Sequence, residues 1–274
     1  MTNALFTISD DRFAFATYVM ISSFLEHNKW FDGDIVVLLN SPLSEKSTKH
    51  ISELYNKIEL RVVDEEKYVN ALDHFKQQDS LFRYWPHMLK FEAFSVEKYD
   101  RVVFLDSDIL VLKDISRLFL NDYDYVICED RVREEQFELG LGERQWDGVT
   151  YLNSGVFSVK SPRKENFDEL ISIAESYEVN CKFFGECCEQ DVINEFLSKK
   201  HGVTLFGVEY NSVQSFYLES IGRKVGSNER ILHYFTECKP WGFIYDDYWH
   251  VHEIWRNYLR GLSAVEMKKK TVVL

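Results

Sequence analysis

Two aspartates stand one residue apart inside an apolar run, at Asp106 and Asp108 in the stretch RVVFLDSDILVL of residues 101–112. Burying an unpaired carboxylate costs on the order of several kcal/mol, so the pair needs a cation, a water-filled cleft or the end of a strand. Residues i and i+2 of a strand share one face, so both carboxylates can reach a single hard divalent cation. The alternative is that two acids simply end a strand.

A second copy of this spacing, Asp122 and Asp124, occurs in the segment FLNDYDYV. It does not follow four apolar residues, and a chain with 45 Asp and Glu residues repeats such a spacing by chance. We interpret the second copy as a loop. Only the first copy is expected to lie at the end of a buried strand and face a ligand cleft.

The segments around the first pair alternate between short apolar runs and longer amphipathic runs, a pattern typical of parallel strands joined by helices. Open sheets of this kind bind ligands at the carboxyl ends of their strands. We therefore predict one α/β domain with a mostly parallel, Rossmann-like central sheet flanked by helices. Predicted strands cover 4–9, 34–40, 58–64, 101–112, 125–130 and 151–159; predicted helices cover 12–28, 42–57, 86–99, 164–178, 190–199 and 253–270.

Residues 131–150 have no clean period and are predicted to form a long loop, a candidate lid or acceptor-facing segment. Near the C-terminus, Trp255, Tyr258, Leu259 and Leu262 form one apolar face of a helix, and lysines follow at 268–270. That face could lie on an anionic membrane as a peripheral contact. The commoner alternative is that the helix packs on its own domain.

The composition excludes some classes of function. A net charge of −13 argues against nucleic-acid binding, because phosphate backbones are held by basic surfaces. The start of the chain lacks a basic segment before its apolar run, which argues against a secretory signal. We expect a reduced, cytoplasmic protein, because the cysteines form an odd set without paired spacing: Cys128, Cys181, Cys187, Cys188 and Cys238.

Two metal-dependent enzyme classes fit an apolar strand that ends in D-x-D. Phosphotransferases of the haloacid-dehalogenase type place this motif near the amino terminus, with Thr or Val two residues after the second Asp. Here the motif begins at Asp106, and Leu110 occupies the later position, so this class fits poorly.

Several separated segments agree with the other class. In order along the chain, LKFEAFSVEKYDRVVFLDSDILVLKDISRLF, YLNSGVFSV, EQDVIN and HYFTECKPW resemble glycosyltransferase family 8, the group that contains glycogenin and the bacterial lipopolysaccharide galactosyltransferases. The resemblance runs from LFTISDDRFA to Trp241 and implies a single-domain GT-A fold. It divides the chain into a nucleotide-binding part at about 1–130, a donor-sugar and acceptor part at about 131–245, and a C-terminal amphipathic helix and tail at about 250–274.

The resemblance implies a retaining transfer of a hexose, glucose or galactose, from UDP-glucose or UDP-galactose to a hydroxyl acceptor on a carbohydrate, glycolipid or protein. The cofactor would be Mn²⁺, with Mg²⁺ as the alternative. Asp106, Asp108 and His233 match the metal ligands, and Lys239 matches a lysine that contacts the diphosphate. The family usually has glycine where Thr236 stands, so this loop departs from the pattern.

The resemblance also implies that Thr7, Ser9, Asp10 and Phe13 hold the uridine, with Phe13 where the family often has Tyr, and that Ser107 touches the ribose. Without the family, Ser9 and Asp10 would be interpreted as a helix cap, which is the commoner use of such residues before an apolar run.

Five residues match positions around the donor sugar: Lys90, Asn153, Ser154, Glu189 and Gln190. Asn153, Glu189 and Gln190 are the candidate catalytic residues, and Lys90 would reach the sugar or phosphate. No carboxylate nucleophile is fixed by the motifs, so attack from the face of the departing phosphate is favoured. Two alternatives remain open, a glycogenin-like protein that glucosylates itself and a non-catalytic module that binds UDP-sugars.

Overall fold

The computed structural model describes residues 2–77, 82–130, 150–177, 188–213, 228–234, 239–241 and 252–261. Seven strands form the central sheet: β1 (Asn3–Ser9), β2 (Asp34–Leu39), β3 (Ile58–Val62), β4 (Arg101–Leu105), β6 (Tyr125–Glu129), β7 (Leu152–Lys160) and β8 (Val203–Phe206). Their order is β3-β2-β1-β4-β7-β6-β8. All neighbouring pairs are parallel except the two made by β7, so this sheet is mostly parallel as predicted.

Helices cover both faces of this sheet in the described ranges. The α-helices are α1 (Ala14–His27), α2 (Glu45–Ser52), α3 (Val69–Gln77), α4 (Ser116–Phe119), α5 (Lys164–Glu175), α6 (Cys188–Ser198) and α7 (252–261). Three segments have the tighter 3-10 geometry, at Glu65–Tyr68, Phe82–Phe94 and Val208–Tyr210. Strands β2 and β4 bury side chains on both faces, because apolar clusters lie above and below the sheet.

The predicted strand 101–112 proves to be two strands in two different sheets. β4 ends at Leu105, and β5 (Ile109–Val111) belongs to a second sheet with β9 (Ser212–Val213) and β10 (Ile231–His233). The chain therefore leaves the central sheet at Asp106 and Asp108. In the second sheet β5 and β10 are antiparallel, and His233 lies opposite Ile109, which brings it beside the two aspartates.

The predicted helix 86–99, with Pro86 at its first position, is wrong in type and bounds. The segment is the 3-10 helical stretch Phe82–Phe94, which contains Pro86, and it packs against β1 and β4. Met88, Leu89, Lys90 and Phe91 are all buried. Four consecutive buried residues leave no solvent-facing stripe, so the α-helical periodicity inferred from the apolar residues does not apply.

A register shift frees part of β7 from its neighbour β6. Ile127 pairs with Phe157, but the next residue, Cys128, pairs with Asn153, so Ser154 and Gly155 have no partner in that ladder. Such irregularities re-aim side chains and are frequent beside active sites. On its other side β7 remains paired with β4, and the Asp106 N–H continues that ladder by donating to the Gly155 carbonyl at 2.9 Å.

The described part of the C-terminal helix packs on its own domain. Trp255 is 1% exposed, and its ring lies 6.0 Å from that of Phe15 in α1 and 5.2 Å from that of Trp241. Tyr258 contacts His27 at the other end of α1. Within the residues that the structure describes, no helix has the length and apolar character needed to cross a membrane. Leu262 and the lysines at 268–270 lie outside those residues.

Substituting Trp255→Ala should therefore lower the free energy of unfolding by about 3–5 kcal/mol, because it empties a buried aromatic site. The neighbouring Ile254 is 40% exposed and provides the control, since Ile254→Ala should change stability by less than about 0.5 kcal/mol. Urea denaturation followed by fluorescence measures both. Equal, small effects for the two variants would contradict the packing described for α7.

Candidate active site

Asp106, Asp108 and His233 form a cluster suited to a metal ion. One ligand atom from each of the three side chains lies within 4.8 Å of the other two. Within the described ranges, these are the acidic and histidine side chains that lie close enough together to hold a metal ion. The His233 Nε2 atom lies 3.2 Å from the Asp108 Oδ1 atom and 3.8 Å from the Asp106 Oδ2 atom. Two carboxylates and one imidazole, all aimed at one point, make a donor set that Mn²⁺ accepts.

Lysine 239 extends this cluster on the side of Asp108. Its Nζ atom donates to the Asp108 Oδ2 atom. Burial alone would raise the pKa of Asp108, but the positive charge of Lys239 and the contact with His233 hold it well below its ordinary value. Asp108 is therefore ionised at neutral pH and available as a ligand. The second pair, Asp122 and Asp124, lies in a loop, and the Asp122 side chain is fully exposed, as expected.

Lysine 90 lies at the centre of a second, buried group. Its Nζ atom lies 3.2 Å from Asp106 Oδ2, 3.1 Å from Ser154 Oγ and 3.1 Å from Glu189 Oε1. Burial alone would lower the Lys90 pKa, but the carboxylates of Asp106 and Glu189 outweigh burial and raise it. Lys90 thus connects one metal-cluster carboxylate to Glu189, a predicted sugar-site residue, and is charged throughout the physiological range.

The predicted sugar-site residues are brought together by the irregular part of β7 and the first turn of α6. Gln190 Oε1 accepts the Ser154 N–H at 2.9 Å. The Asn194 side chain donates to the Leu152 carbonyl and accepts its N–H, each at 2.8 Å. Side chains of α6 therefore bond the backbone groups of Leu152 and Ser154 in β7. Asn153, Ser154, Glu189 and Gln190 all lie in this group, each nine-tenths or more buried.

Two polar residues of the site were missed from the sequence. Asp130, at the end of β6, accepts from Asn153 Nδ2 at 3.1 Å and from Gln190 Nε2 at 3.3 Å. Asn211, between the Val208–Tyr210 turn and β9, contacts His233 and Asn153 at 2.9 and 2.8 Å. Asp130 carries a signal, since it ends the apolar run YVICED at the sheet edge where Asp106 lies. Asn211 stands alone in GVEYNSV and carries none.

The residues predicted for uridine lie at the carboxyl end of β1 and the start of α1. Thr7 is buried, and its hydroxyl has no hydrogen-bond partner in the described part of the chain. Ser9 accepts from Thr17 at 2.7 Å, and Asp10 accepts the Phe13 N–H at 2.9 Å. Asp10 therefore closes the turn that precedes α1, but the N-cap residue of this helix is Phe13, so the alternative interpretation of Ser9 and Asp10 as the cap is wrong. Phe13 is 36% exposed and contacts Trp241 edge-on.

Ser107 lies between the two aspartates and is partly exposed. The loop predicted at 131–150, apart from residue 150, lies outside the described residues, as does Thr236 with its departure from glycine. The site described above therefore consists of strand ends, the 3-10 segment and α6.

Gly155 leaves the space in which the metal cluster forms. A Cβ atom on this residue would lie 2.3 Å from His233 Cε1 and 2.9 Å from Asp106 Oδ2, closer than side chains can pack. Gly155→Ala should therefore displace His233 and lower the Mn²⁺ affinity by at least about tenfold, with a loss of stability of about 1–3 kcal/mol.

Gly261 provides the matched control, because a Cβ atom there meets nothing within 4 Å. Gly261→Ala should leave Mn²⁺ affinity unchanged and alter stability by no more than about 1 kcal/mol. Titration of Mn²⁺ by electron paramagnetic resonance measures the free ion directly. Unchanged affinity in Gly155→Ala would show that His233 does not need the space that glycine leaves.

Comparison with known proteins agrees with this arrangement. The sequence model described as "Glycosyl transferase family 8" matches residues 4–245. Curated relatives include glycogenin-1 of Oryctolagus cuniculus, 25% identical over 87% of this chain and 65% of its own, and glycogenin-1 of Homo sapiens, 26% identical over 87% and 61%. The chain thus spans less than two thirds of the length of these relatives.

Solved structures share the fold at lower identity. A crystal structure of the galactosyltransferase LgtC, in complex with donor and acceptor sugar analogues, has a TM-score of 0.67 and 19% identity, over 94% of this chain and 95% of that one. The glycosyltransferase GlyE of Streptococcus pneumoniae has a TM-score of 0.65 and 17% identity, over 98% of this chain and 64% of that one. The fold is thus the GT-A type that the motifs implied, and because the family model covers most of its length, the chain belongs to glycosyl transferase family 8.

Proposed function

We propose that this chain is a retaining glycosyltransferase that moves a hexose, glucose or galactose, from a UDP-sugar to a hydroxyl acceptor. The observation that carries the proposal is the convergence of Asp106, Asp108 and His233 within 4.8 Å at the sheet edge where ligands bind. Two lysines flank that cluster, one toward each aspartate. Such a site suits a divalent ion together with a diphosphate.

The residues fit a metal ion by the chemistry of their donor atoms. Asp106 and Asp108 would supply oxygen ligands and His233 a nitrogen ligand. This mixed set favours Mn²⁺ over Mg²⁺, because Mg²⁺ typically binds in all-oxygen surroundings; Mg²⁺ remains the alternative. When bound, the ion would supply positive charge that stabilises the departing diphosphate.

The chain's own residues can do the rest of the electrostatic work. Lys239 carries a positive charge at the edge of the cluster, where it would neutralise the oxygens of the leaving UDP. Asn153, Glu189 and Gln190 form a buried group that Lys90 connects to Asp106, and they would orient the hydroxyls of the donor sugar. Thr7, Ser9, Asp10, Phe13 and Ser107 are proposed for the nucleoside. Lys90 would keep the metal cluster and the donor-sugar residues at a fixed distance from each other.

Retention is proposed from the hydrogen bonds and charge partners of Glu189 and Asp130, two carboxylates at the proposed donor-sugar site. Glu189 is bonded to Lys90, and its pKa lies below the ordinary value because Lys90, and then His87, outweigh the effect of burial. Asp130 accepts two amide hydrogen bonds from Asn153 and Gln190. Carboxylates stabilised in this way are weak nucleophiles. We therefore favour attack by the acceptor hydroxyl on the anomeric carbon from the face that the phosphate leaves, with the phosphate taking the proton of that hydroxyl. NMR of the product reports the configuration of the anomeric carbon, and inversion there would contradict retention.

The direct test of function is UDP release from a panel of UDP-sugars in the presence of Mn²⁺. We expect UDP-glucose or UDP-galactose to give the highest turnover, and chelation by EDTA to remove it. Absence of UDP release from every sugar in the panel, with a hydroxyl-rich set of saccharide acceptors present, would favour the non-catalytic binding module instead.

A second candidate, self-glucosylation, is favoured by the similarity to the glycogenin-1 chains. Intact mass after incubation with UDP-glucose and Mn²⁺ distinguishes the two functions. Mass increments of one hexose on the protein would support the primer, and an unchanged protein mass with product on a separate acceptor would support the transferase.

We further propose a reducing, cytoplasmic location, supported by Cys128, which is buried and unpaired. The division into a nucleotide part at about 1–130, a sugar part at about 131–245 and a tail at about 250–274 also belongs to this proposal. Because Trp255 is buried, it is not available for a membrane contact, which we propose for the residues after Gly261. Liposome sedimentation of the full chain against a chain that ends at Gly261 would detect it.

A further inference from the structure

Asn211 connects the metal cluster to the donor-sugar wall. The side chain is 2% exposed, and its two polar atoms face different partners. Its Oδ1 atom lies 2.9 Å from His233 Nδ1, and its Nδ2 atom lies 2.8 Å from Asn153 Oδ1. The residue therefore contacts one member of each group without pointing at the opening itself.

The direction of these hydrogen bonds is fixed by a backbone group. The Gly155 N–H can only donate, and it donates to Asn153 Oδ1 at 3.0 Å. That oxygen is thus an acceptor, so the atom of Asn211 that faces it must be the amide nitrogen. The remaining oxygen of Asn211 then faces His233 Nδ1, and an oxygen requires a proton on that nitrogen.

We propose that Asn211 is a positioning residue that holds the proton of His233 on Nδ1 and so presents the lone pair of Nε2 to the metal ion. The Nε2 atom is the one that lies 3.2 Å from Asp108 and 3.8 Å from Asp106. A metal-ligating histidine commonly has its other nitrogen bound in this way, which sets the tautomer and the ring orientation. The inference rests on the metal site of the proposed function.

The backbone around Asn211 supports this role. β9 begins at the next residue and runs parallel to β10, where Ser212 pairs with Leu232 and Val213 with His233. This pairing places Asn211, the residue before β9, beside the strand that carries His233. The Asn211 N–H donates to the Val208 carbonyl at 3.1 Å, which closes the turn before the strand. Asn211 is therefore held by main-chain contacts at both sides.

The test measures Mn²⁺ affinity in two variants of Asn211 without any donor sugar. Asn211→Leu removes both hydrogen bonds and should weaken Mn²⁺ binding about 10–100-fold. Asn211→Asp keeps an acceptor oxygen for His233 Nδ1 and adds a negative charge beside it, so its Mn²⁺ affinity should not fall below that of the unmodified protein. A loss of affinity as large as that of Asn211→Leu would contradict the proposed role of this oxygen. Electron paramagnetic resonance of free Mn²⁺ measures each.

Asn28 is a matched control, because it is equally buried and also donates one side-chain hydrogen bond, to the Phe24 carbonyl, and accepts one, from the Ile115 N–H. Asn28→Leu should lower the melting temperature as Asn211→Leu does, without changing Mn²⁺ affinity. Asn211→Leu with unchanged affinity would overturn the inference. An unmodified protein that does not bind Mn²⁺ would overturn the proposed metal site, and this inference with it.

A second measurement is made on the unmodified protein and needs a variant only to assign the signal. In protein labelled with ¹⁵N-histidine and loaded with Mg²⁺ and UDP, long-range ¹⁵N–¹H spectra report which nitrogen of His233 carries the proton. We expect a protonated Nδ1 and a bare Nε2, with the signal assigned from its loss in His233→Gln. A proton on Nε2 would overturn the inference.

Discussion

Replacing Asp106 by Asn should lower kcat/KM for a UDP-sugar by about a thousandfold, which corresponds to about 4 kcal/mol of lost transition-state stabilisation. Asp106 lies at the end of β4, where the chain leaves the central sheet, and it faces both His233 and Lys90. The substitution keeps the shape of the side chain but removes its charge. We therefore expect it to weaken the binding of the metal ion and, with it, the binding of the diphosphate.

The second D-x-D provides the control for this prediction. Asp122 has the same spacing to its partner but a fully exposed side chain, so Asp122→Asn should leave kcat/KM within about twofold. Steady-state assays with saturating Mn²⁺ compare the two variants. If Asp106→Asn retained the activity of the unmodified protein, the metal role of this residue would be wrong.

Replacing Lys90 by Met should lower the free energy of unfolding by about 3–5 kcal/mol, because it leaves the buried carboxylate of Glu189 and the partly buried carboxylate of Asp106 without their cation. The Lys90 side chain is 4% exposed and contacts Asp106 and Glu189 at 3.2 and 3.1 Å. Methionine has nearly the same length, so little packing is lost, and the effect isolates the charge. Urea denaturation at pH 7 measures it.

Lys98 provides the matched surface residue, since it lies 3.6 Å from both Asp34 and Glu59 but is 52% exposed. Lys98→Met should cost less than about 1 kcal/mol, because water screens such pairs. Equal costs for the two lysines would show that Lys90 is not a buried cation with buried partners.

The cost of Lys90→Met should also depend on pH. The folded-state pKa of Glu189 is held below its ordinary value of 4.5, so the stability that this carboxylate contributes is present above that pH and is lost as the pH falls through the folded pKa. Without Lys90, burial raises the pKa of Glu189 above that value, so the carboxyl group of the variant takes up a proton earlier as the pH falls. The difference in stability between the unmodified protein and Lys90→Met should therefore be largest at neutral and higher pH and become smaller on acidification. A difference that grows on acidification would contradict the pairing with Glu189.

The sequence predicted six of the seven strands of the central sheet, because inner strands such as β2 and β4 are buried on both faces and leave long apolar runs. It missed the short edge strand β8, in which only the last residue is buried and which therefore leaves no apolar run. It could not show that 101–112 is divided between two sheets, since Ile109 to Val111 are as apolar as the residues of β4. The division depends on β10, whose pairing partner lies far away in the sequence. This long-range pairing is what places His233 beside Asp108.

The same reason explains which site residues were found. Asp106, Asp108 and the residues of YLNSGVFSV and EQDVIN lie in recognisable segments, and the structure brings them together. Asp130 could have been found from the end of its strand. Asn211 could not, because a single amide in a polar turn acquires its role only through the hydrogen bonds to His233 and Asn153.

The central claim is that Asp106, Asp108 and His233 hold a divalent ion that in turn holds a nucleoside diphosphate. Isothermal titration of UDP into the protein tests this claim without knowledge of the sugar or the acceptor. We expect UDP to bind in the presence of Mn²⁺, to bind at least about tenfold more weakly after EDTA treatment, and to lose its dependence on Mn²⁺ in Asp108→Asn. UDP binding that is equally tight with and without Mn²⁺, or no binding of UDP at all, would contradict the account.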